Sequence, residues 1–417
     1  MPLDTRAGPG VVTRFTRSSG AGPSKFLQFL TSSLVATHPQ VVTPPILSAQ
    51  ERRKRIRWLV SSSLAPLAEA IDREGVYPRE LLRQLAGLGA FSAHLRSHGE
   101  IGDLGVSIDL IAEIARVCGS TGFVAWCQAA CGLYLEEAAN PALQGEWLSR
   151  HIRGEGLGGT GLSNPIKAYA GLEKFLLRAT PQGDGYRLSG SLPWVSHLQP
   201  DGYCGVIAAV LQEDGTSTHQ VMVLLHASAP GVQLLPCPAF SGMEGTSTFA
   251  IRLNEVWIGP ESIIAHDAAA FIGAIRPAFV LLQCGFALGV IEGAIDSIRD
   301  VPGALGPVNQ VLQEQAEPLQ DELDGLRHRI LQLARTPQRR SPAYRLAVLE
   351  ARAQGSELSL RAAQAALLHQ GARGYLARSA VQRRIRESHF VAIVTPALKQ
   401  LRKEIQSLRE SGVRPEP

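Results

Sequence analysis

The order of hydrophobic periodicities along the chain most strongly constrains its fold. Residues 48–155 carry apolar side chains at helical spacing, starting from Ser48, a candidate N-cap with Glu51 three positions on. From Gly156 the pattern changes to glycine-rich turns between short runs of β-forming residues. After Ile263 the helical period returns, with long candidate helices at 268–299, 309–334, 343–370 and 381–409. This order predicts an α+β multidomain chain in which a helical domain, a β-barrel-like domain and a four-helix bundle follow one another.

The same changes in hydrophobic periodicity and composition divide the 417 residues into four segments. We expect a mobile N-terminal tail at 1–47, a helical domain at 48–156, a β domain at 157–262 and the bundle at 263–417. The tail is rich in Gly, Ser, Thr and Pro and poor in acids, so it lacks the apolar surface needed to order itself. A transit peptide is the alternative interpretation of this segment.

Composition excludes several classes of function. Charged residues make up 19% of the chain, and no stretch of 18 residues is free of charged or strongly polar side chains, so we expect no membrane-spanning segment. The net charge of +4 is spread along the sequence, which argues against a nucleic-acid partner. The six cysteines lie in apolar contexts without zinc-ligand spacing, so we expect no metal site and a reducing, cytoplasmic location.

Five short motifs occur in a fixed order across the β region and the C-terminal helices. They are Gly158 to Pro165 (GGTGLSNP), Leu192 to Ser196 (LPWVS), Gly242 to Pro260 with GMEGTST at its start, Gln370 to Tyr375 (QGARGY), and Ile393 to Ala397 (IVTPA). In this order and spacing the motifs resemble the acyl-CoA dehydrogenase family of flavoproteins over roughly residues 50 to 410. The resemblance implies the family's fold, a bound FAD between the β domain and the bundle, and a homodimer or homotetramer.

The resemblance also assigns roles to individual residues at the flavin. Leu162 and Ser163 match the family's apolar residue and hydroxyl beside the flavin edge, and Trp194, Val195 and Ser196 match its segment along the ring. An aromatic wall with a few hydroxyl donors suits a flat, apolar ring that has polar edges. Further cofactor-binding residues implied by the resemblance are Thr160, Ala397 and the turn Gly371, Ala372 and Arg373, which would meet the FAD of a neighbouring subunit. A helix C-cap is the alternative interpretation of this turn.

The chain departs from the family at the position of the base. Where the family has its catalytic glutamate, in Ile-Tyr-Glu-Gly-Thr, this chain has Thr395, whose hydroxyl is too weak a base near neutral pH. Residues 276–283, where some members carry the base, contain no acid. The segment 166–170 replaces the family's Gly-x-Gly-Ser-Asp near the pantetheine, which puts recognition of CoA in doubt. Residues 302–310 lack the Arg and Phe-Gly pair that approaches FAD phosphates.

Two nearby groups are candidates for acid–base chemistry. Glu244 lies in the GMEGTST loop, which borders the substrate cavity by resemblance, and a carboxylate in an apolar cleft has a raised pKa. His197 directly follows the LPWVS motif, although single histidines in β loops are more often structural. We therefore name Glu244, as a stand-in base, and Thr395, at the position of the family's base, as the candidate catalytic residues.

Three functions remain open from the sequence. The first is an FAD-dependent α,β-dehydrogenation of an acyl or aminoacyl thioester, bound to CoA or to a carrier protein, with a separate electron-transfer partner. The second is a two-component monooxygenase that uses O2 and reduced flavin from a flavin reductase, with FMN or exchangeable flavin as the cofactor; the pair Thr395-Pro396 resembles that branch, but Val394 stands where its histidine would be. The third is a flavin-binding protein that has lost turnover.

Overall fold

The computed structural model describes residues 47–97, 101–212, 214–301 and 303–414. All of the expected tail except Leu47 lies outside these ranges. The first described element is a helix, and the Ser48 hydroxyl accepts a hydrogen bond from the backbone N–H of Glu51 at 3.2 Å, as its capping sequence predicts. The N-terminal part then continues as helices, which are α1 Ala49–Leu59, α2 Ala68–Arg73, α3 Arg79–Gly87, α4 Leu104–Val117, α5 Gly119–Glu137 and α6 Leu148–Ile152.

The middle of the chain forms one mixed sheet of eight strands. The strands are β1 Gly158–Thr160, β2 Leu177–Gln182, β3 Gly185–Val195, β4 Tyr203–Leu211, β5 Ser217–His226, β6 Val232–Pro236, β7 Phe249–Ile258 and β8 Ile263–Ala265. Their order is β6-β7-β3-β2-β4-β5-β8, and β1 pairs in parallel with β4. A short helix, α7 Ser163–Tyr169, lies between β1 and β2. It contains most of the stretch 166–170, which replaces the family's Gly-x-Gly-Ser-Asp segment in this sequence.

Strand β4 is buried on both faces, and its alternating side chains enter two different cores. Tyr203 and Ile207 point into a core shared by the N-terminal helices and the C-terminal helices. Cys204 and Val206 point into a second core on the other face of the sheet. Because successive strand side chains point to opposite faces, β4 joins the sheet to the helices and fixes their relative positions.

The C-terminal part is helical, with one difference from the sequence expectation. Its helices are α8 Ala268–Arg299, α9 Gly306–Asn309, α10 Ala316–Ala334, α11 Pro342–Gln370, α12 Ala380–Ile393 and α13 Leu398–Glu410. The helix expected at 381–409 is therefore interrupted between Ile393 and Leu398. The interruption follows from Pro396, which has no N–H to donate and disfavours helical backbone at the preceding residue. The helix expected at 309–334 begins later, at Ala316.

Helix α8 is long and apolar enough to cross a membrane by length and composition alone. However, 94% of its most apolar window is buried inside the protein. It packs against α4 and α11, so its hydrophobicity on all sides is that of a central core helix.

Candidate active site

A cavity of about 400 Å³ opens between the sheet and the helices. It is bordered by α7 and the end of β3 from the sheet region, and by α5, α8 and the C-terminal end of α12 from the helices. The chain segment before β7, around Gly242 and Met243, closes a further side. The cavity is thus built from all three parts of the chain, at a size typical of small-molecule sites.

The sheet side of the cavity presents a row of hydroxyl groups. An isolated bridge brings the backbones of Thr160 and Ser196 together. The Ser196 hydroxyl lies 2.7 Å from that of Thr248, which in turn lies 2.9 Å from that of Thr246. The Thr160 hydroxyl is 3.0 Å from the phenol of Tyr134, whose pKa is raised well above its ordinary value by burial, so the phenol stays protonated. These hydroxyls can donate to or accept from the polar edge of a ligand.

Thr395 is held in the cavity wall from two directions. Its hydroxyl lies 3.0 Å from the Ser163 hydroxyl at the start of α7. Its carbonyl accepts a hydrogen bond of 3.1 Å from the side-chain amide of Gln283 on α8. Since Ser163 and Thr395 are far apart in sequence, their pairing is a product of the tertiary structure.

The support behind Thr395 includes a fully buried arginine. The Arg352 guanidinium on α11 donates to the Gln283 side-chain oxygen at 2.7 Å and to the Val391 carbonyl at 2.7 Å, and it also bonds Ser356. Burial lowers the pKa of Arg352 to about 10, so the guanidinium remains charged at neutral pH. Arg352 therefore orients the Gln283 amide so that its N–H group faces Thr395.

Trp194, near the end of β3, presents an open aromatic surface at the cavity. Its side chain is 55% exposed, which is high for a tryptophan beside an apolar cavity. A second cavity of about 420 Å³ continues past Trp194 and shares Ser163 and Lys167 with the first. The open indole, the neighbouring hydroxyls and the available volume match what an isoalloxazine requires, so the residues present fit a flavin.

The helix side of the cavity is aromatic. Phe123 and Trp126 of α5 stack with ring centroids 5.4 Å apart, and Phe390 of α12 meets Phe123 edge-on at 4.8 Å. Phe279 of α8 meets Trp126 edge-on at 5.0 Å, and the Trp126 indole N–H donates to the Phe279 carbonyl at 3.2 Å. Stacked and edge-to-face pairs at these distances are favourable. This wall is therefore apolar and well packed.

No carboxylate is among the described residues that line the cavity. Two of its cationic side chains are paired with acids outside the lining, Arg386 with Asp72 at 2.5 Å and Lys167 with Glu173 at 2.9 Å. Burial raises the pKa of the Cys127 thiol well above its ordinary value, so this thiol is not a thiolate at neutral pH. The lining side chain that remains as a proton acceptor is His389, at the exposed end of the wall.

The structure brings six of the expected site residues to the cavity and leaves the others elsewhere. Those in the lining are Thr160, Leu162, Ser163, Trp194, Ser196 and Thr395. Val195 points instead into the core of the sheet and is fully buried. Glu244 is outside the lining, and its carboxylate accepts a hydrogen bond of 2.5 Å from the backbone N–H of Phe240. Ala397 precedes α13 outside the lining, as does the exposed turn of Gly371, Ala372 and Arg373 after α11.

His197 belongs to a buried hydrogen-bond network rather than to the cavity lining. Its Nδ1 lies 3.0 Å from the Tyr77 hydroxyl, and its Nε2 lies 2.8 Å from the side-chain oxygen of Gln128. Because an amide oxygen can only accept, Nε2 carries the proton and Nδ1 accepts from Tyr77. Burial lowers the pKa of His197 to about 3, so the imidazole is neutral and structural.

The aromatic wall and the face of α12 that lines the cavity were not identified from the sequence. Arg386, His389, Phe390 and Ile393 all line the cavity and stand on one face of α12, with spacings of three, four and seven residues. That helical spacing was present in the sequence. It was not distinguishable from an ordinary packing face, because nothing local shows that the face opens on a cavity.

Comparison with known proteins agrees with this architecture. Residues 48–155 match the family described as acyl-CoA dehydrogenase, N-terminal domain. The human mitochondrial short-chain specific acyl-CoA dehydrogenase is 24% identical over 359 residues, covering 81% of this chain and 84% of that protein. A glutaryl-coenzyme A dehydrogenase structure superimposes with a TM-score of 0.78 at 21% identity, covering 88% and 95% of the two chains. Dibenzothiophene monooxygenase from Paenibacillus sp. A11-2 superimposes with a TM-score of 0.72 at 16% identity, covering 88% and 98%.

The fold and the site therefore define a flavin oxidoreductase, and the chain is an enzyme of that type. Two other structures with this fold were determined with flavin, one with FMN and one with FADH2. More specifically, the chain is similar to the acyl-CoA dehydrogenase family in its N-terminal domain match over residues 48–155, in its curated relatives and in its fold. The resemblance stated from the sequence motifs is confirmed.

Proposed function

We propose that this protein uses FAD for the α,β-dehydrogenation of an acyl or aminoacyl thioester, carried by CoA or by a carrier protein. The observation that supports this proposal is the lining of the cavity, which combines Trp194 and a row of hydroxyls from the sheet region with an apolar aromatic wall from the helices. A flavin needs the first surface and an acyl group needs the second. The curated relatives named acyl-CoA dehydrogenases agree with this chemistry.

The residues of the chain have distinct roles in this proposal. When bound, the flavin supplies the acceptor for the hydride that leaves the substrate. Trp194 offers its indole face to the ring, and Ser163 and Ser196 offer hydroxyls to the polar edge. Thr395, fixed by Gln283 and paired with Ser163, closes the wall where the family has a carboxylate. The packed aromatic side chains keep water from the apolar end.

The proton acceptor in this proposal is His389. It lines the cavity, and a neutral imidazole has a nitrogen lone pair that can take the α-proton of a thioester. Glu244 is placed less favourably, because its carboxylate is bonded to the backbone of its own loop. His389→Gln should reduce substrate-driven flavin reduction by roughly a hundredfold or more, whereas Thr395→Ala should change it only a few-fold.

The deciding experiment is anaerobic mixing of the purified flavin-loaded protein with butyryl-CoA, octanoyl-CoA, cyclohexanecarbonyl-CoA and 3-phenylpropanoyl-CoA. Each assay follows the visible absorbance of the flavin. The proposal expects at least one thioester to bleach the flavin without any added reductant. A failure of all four acyl groups, both as CoA thioesters and as carrier-protein thioesters, with flavin reduced only by an NAD(P)H-dependent reductase, contradicts it. A flavin that neither treatment reduces would indicate a protein that binds flavin without turnover.

The monooxygenase is a second candidate, and one observation favours it: no carboxylate is among the described lining residues of the cavity. Oxygen transfer from reduced flavin needs no base for an α-proton, so the missing glutamate would not matter. The dibenzothiophene monooxygenase shares the fold. Its test is mass-spectrometric detection of one added oxygen atom, from ¹⁸O2, in a product formed with a flavin reductase present.

The proposal also includes an assembly and a location. The turn Gly371, Ala372 and Arg373 is exposed, and Tyr375 and Leu376 beside it are 80% and 65% exposed. Such an exposed apolar edge is typical of a surface that a neighbouring subunit covers. We propose a homodimer or homotetramer in the cytoplasm in which this turn meets the neighbour's FAD, and an electron-transfer partner or flavin reductase that completes the reaction.

A further inference from the structure

Four aromatic side chains from three helices meet at one wall of the cavity. Phe123 and Trp126 come from α5, Phe279 from α8 and Phe390 from α12. Their rings pack against one another, with centroid separations between 4.8 and 5.4 Å. A wall of this kind presents ring faces and edges, which attract another ring more specifically than a flexible alkyl chain.

The aromatic wall is also rigid. Phe123, Trp126 and Phe279 are nearly fully buried, and the Trp126 indole is tied to the Phe279 carbonyl. A rigid wall loses little conformational freedom when a flat group binds. A flexible alkyl ligand of the same hydrophobicity would lose more conformational freedom on binding in the same cavity.

The rest of the cavity lining is where the proposed function puts the flavin. The hydroxyls of Thr160, Ser196 and Thr248 and the open indole of Trp194 belong to this part of the lining. A reacting group that lies beside the flavin in the same cavity would also contact the aromatic wall. The cavity therefore favours a flat group.

We infer that the group which this enzyme oxidises carries a flat, conjugated ring, held against Phe123, Trp126, Phe279 and Phe390. The inference rests on the proposed function for the position of the flavin. In the proposed dehydrogenation, His389 would take the α-proton of such a substrate, and a bound flavin would supply the acceptor for its β-hydride. The new double bond would be conjugated with the ring, so the product would be flat as well.

The test compares two small probes of similar hydrophobicity, cinnamyl alcohol and hexan-1-ol. Their binding to the flavin-loaded protein is measured by calorimetry and by the change in the flavin spectrum. We expect cinnamyl alcohol to bind more tightly, and Phe123→Leu and Phe390→Leu each to weaken it by about three- to tenfold while changing hexan-1-ol by less than twofold.

Phe286→Leu is the matched control. Phe286 is fully buried in the same aromatic cluster, with centroids 5.9 Å from Phe123 and 6.3 Å from Phe390, but it does not line the cavity. This variant should lower thermal stability about as much as Phe123→Leu and leave the binding of both probes unchanged. The control therefore distinguishes weaker probe binding caused by the altered aromatic wall from weaker binding caused by a general loss of stability.

Equal or tighter binding of hexan-1-ol in the wild type overturns the inference, as does an equal loss of both probes in the two wall variants. The proposed function and this inference can be refuted independently of each other. If cinnamyl alcohol binds as expected but no thioester bleaches the flavin, the ring site stands and the dehydrogenase proposal does not. If octanoyl-CoA bleaches the flavin while cinnamyl alcohol does not bind, the dehydrogenase proposal stands and the ring site does not.

Discussion

At the scale of single residues, Trp194 is an aromatic side chain that lines the cavity and is 55% exposed. Trp194→Ala should lower the flavin content of the purified protein, because an aromatic contact contributes roughly 0.5 to 1.5 kcal/mol beyond area burial. The measurement is the ratio of flavin to protein absorbance after dialysis. Trp257→Ala is a control, since Trp257 is also exposed, at 41%, and lies outside the cavity lining. Wild-type flavin content in Trp194→Ala would refute the assignment.

Glu244 was named as a base from the sequence, but its side chain lies outside the cavity lining, so a substitution tests the assignment directly. Glu244→Gln keeps an oxygen that can accept from the Phe240 N–H but removes the proton acceptor. Since the carboxylate lies outside the cavity lining, we expect substrate-driven flavin reduction within a few-fold of wild type. Stopped-flow absorbance provides the rate. A loss of about a hundred- to ten-thousand-fold would instead establish Glu244 as the base predicted from the sequence.

At the scale of secondary structure elements, Arg352 connects α11 to the end of α12. Arg352→Met would leave the Val391 carbonyl and the Gln283 oxygen without their buried donor, at about 1–3 kcal/mol for each group. We expect a clear fall in the thermal unfolding midpoint and a smaller one for Arg352→Lys, whose ammonium can still donate. The exposed Arg335→Met should stay within about 0.5 kcal/mol of wild type. Equal midpoints for Arg352→Met and Arg335→Met would show that the buried guanidinium stabilises nothing.

At the scale of the whole molecule, three buried histidines make the fold sensitive to acid. Burial lowers the pKa of His94 and His197 to about 3 and that of His151 to about 4, against 6.5 for the free side chain. The unfolded chain therefore binds more protons below pH 6.5, and stability is present above that pH and lost as pH falls. At pH 5 each histidine should reduce stability by about 2 kcal/mol relative to pH 7.5.

The measurement is the denaturation midpoint as a function of pH, with His94→Gln compared with the exposed His328→Gln. The glutamine at position 94 can still donate to the Ala129 carbonyl but cannot take up a proton near neutral pH. Between pH 7.5 and pH 5, His94→Gln should lose about 2 kcal/mol less stability than the wild type, and His328→Gln should follow the wild type. A decrease that is the same in both variants would contradict the role of buried imidazole.

The order of helices, sheet and helices was readable from the sequence because periodicity is a local property of the chain. The Ser48 cap and the buried strand β4 follow from spacing alone. The break between α12 and α13 was also encoded locally, in Pro396, but the surrounding apolar spacing concealed it. The motifs around Ser163 and Trp194 carried the resemblance to the family, and both residues line the cavity.

The tertiary structure alone decided how the cavity is closed and which groups face it. Ser163 meets Thr395, and Phe123 meets Phe390, across more than two hundred residues. Glu244 and Thr246 are neighbours in one motif, yet one bonds its own loop and the other lines the cavity. Sequence spacing determines which face of an element is apolar, but a shared cavity depends on how several faces pack, and that packing is set by long-range contacts that no local pattern contains.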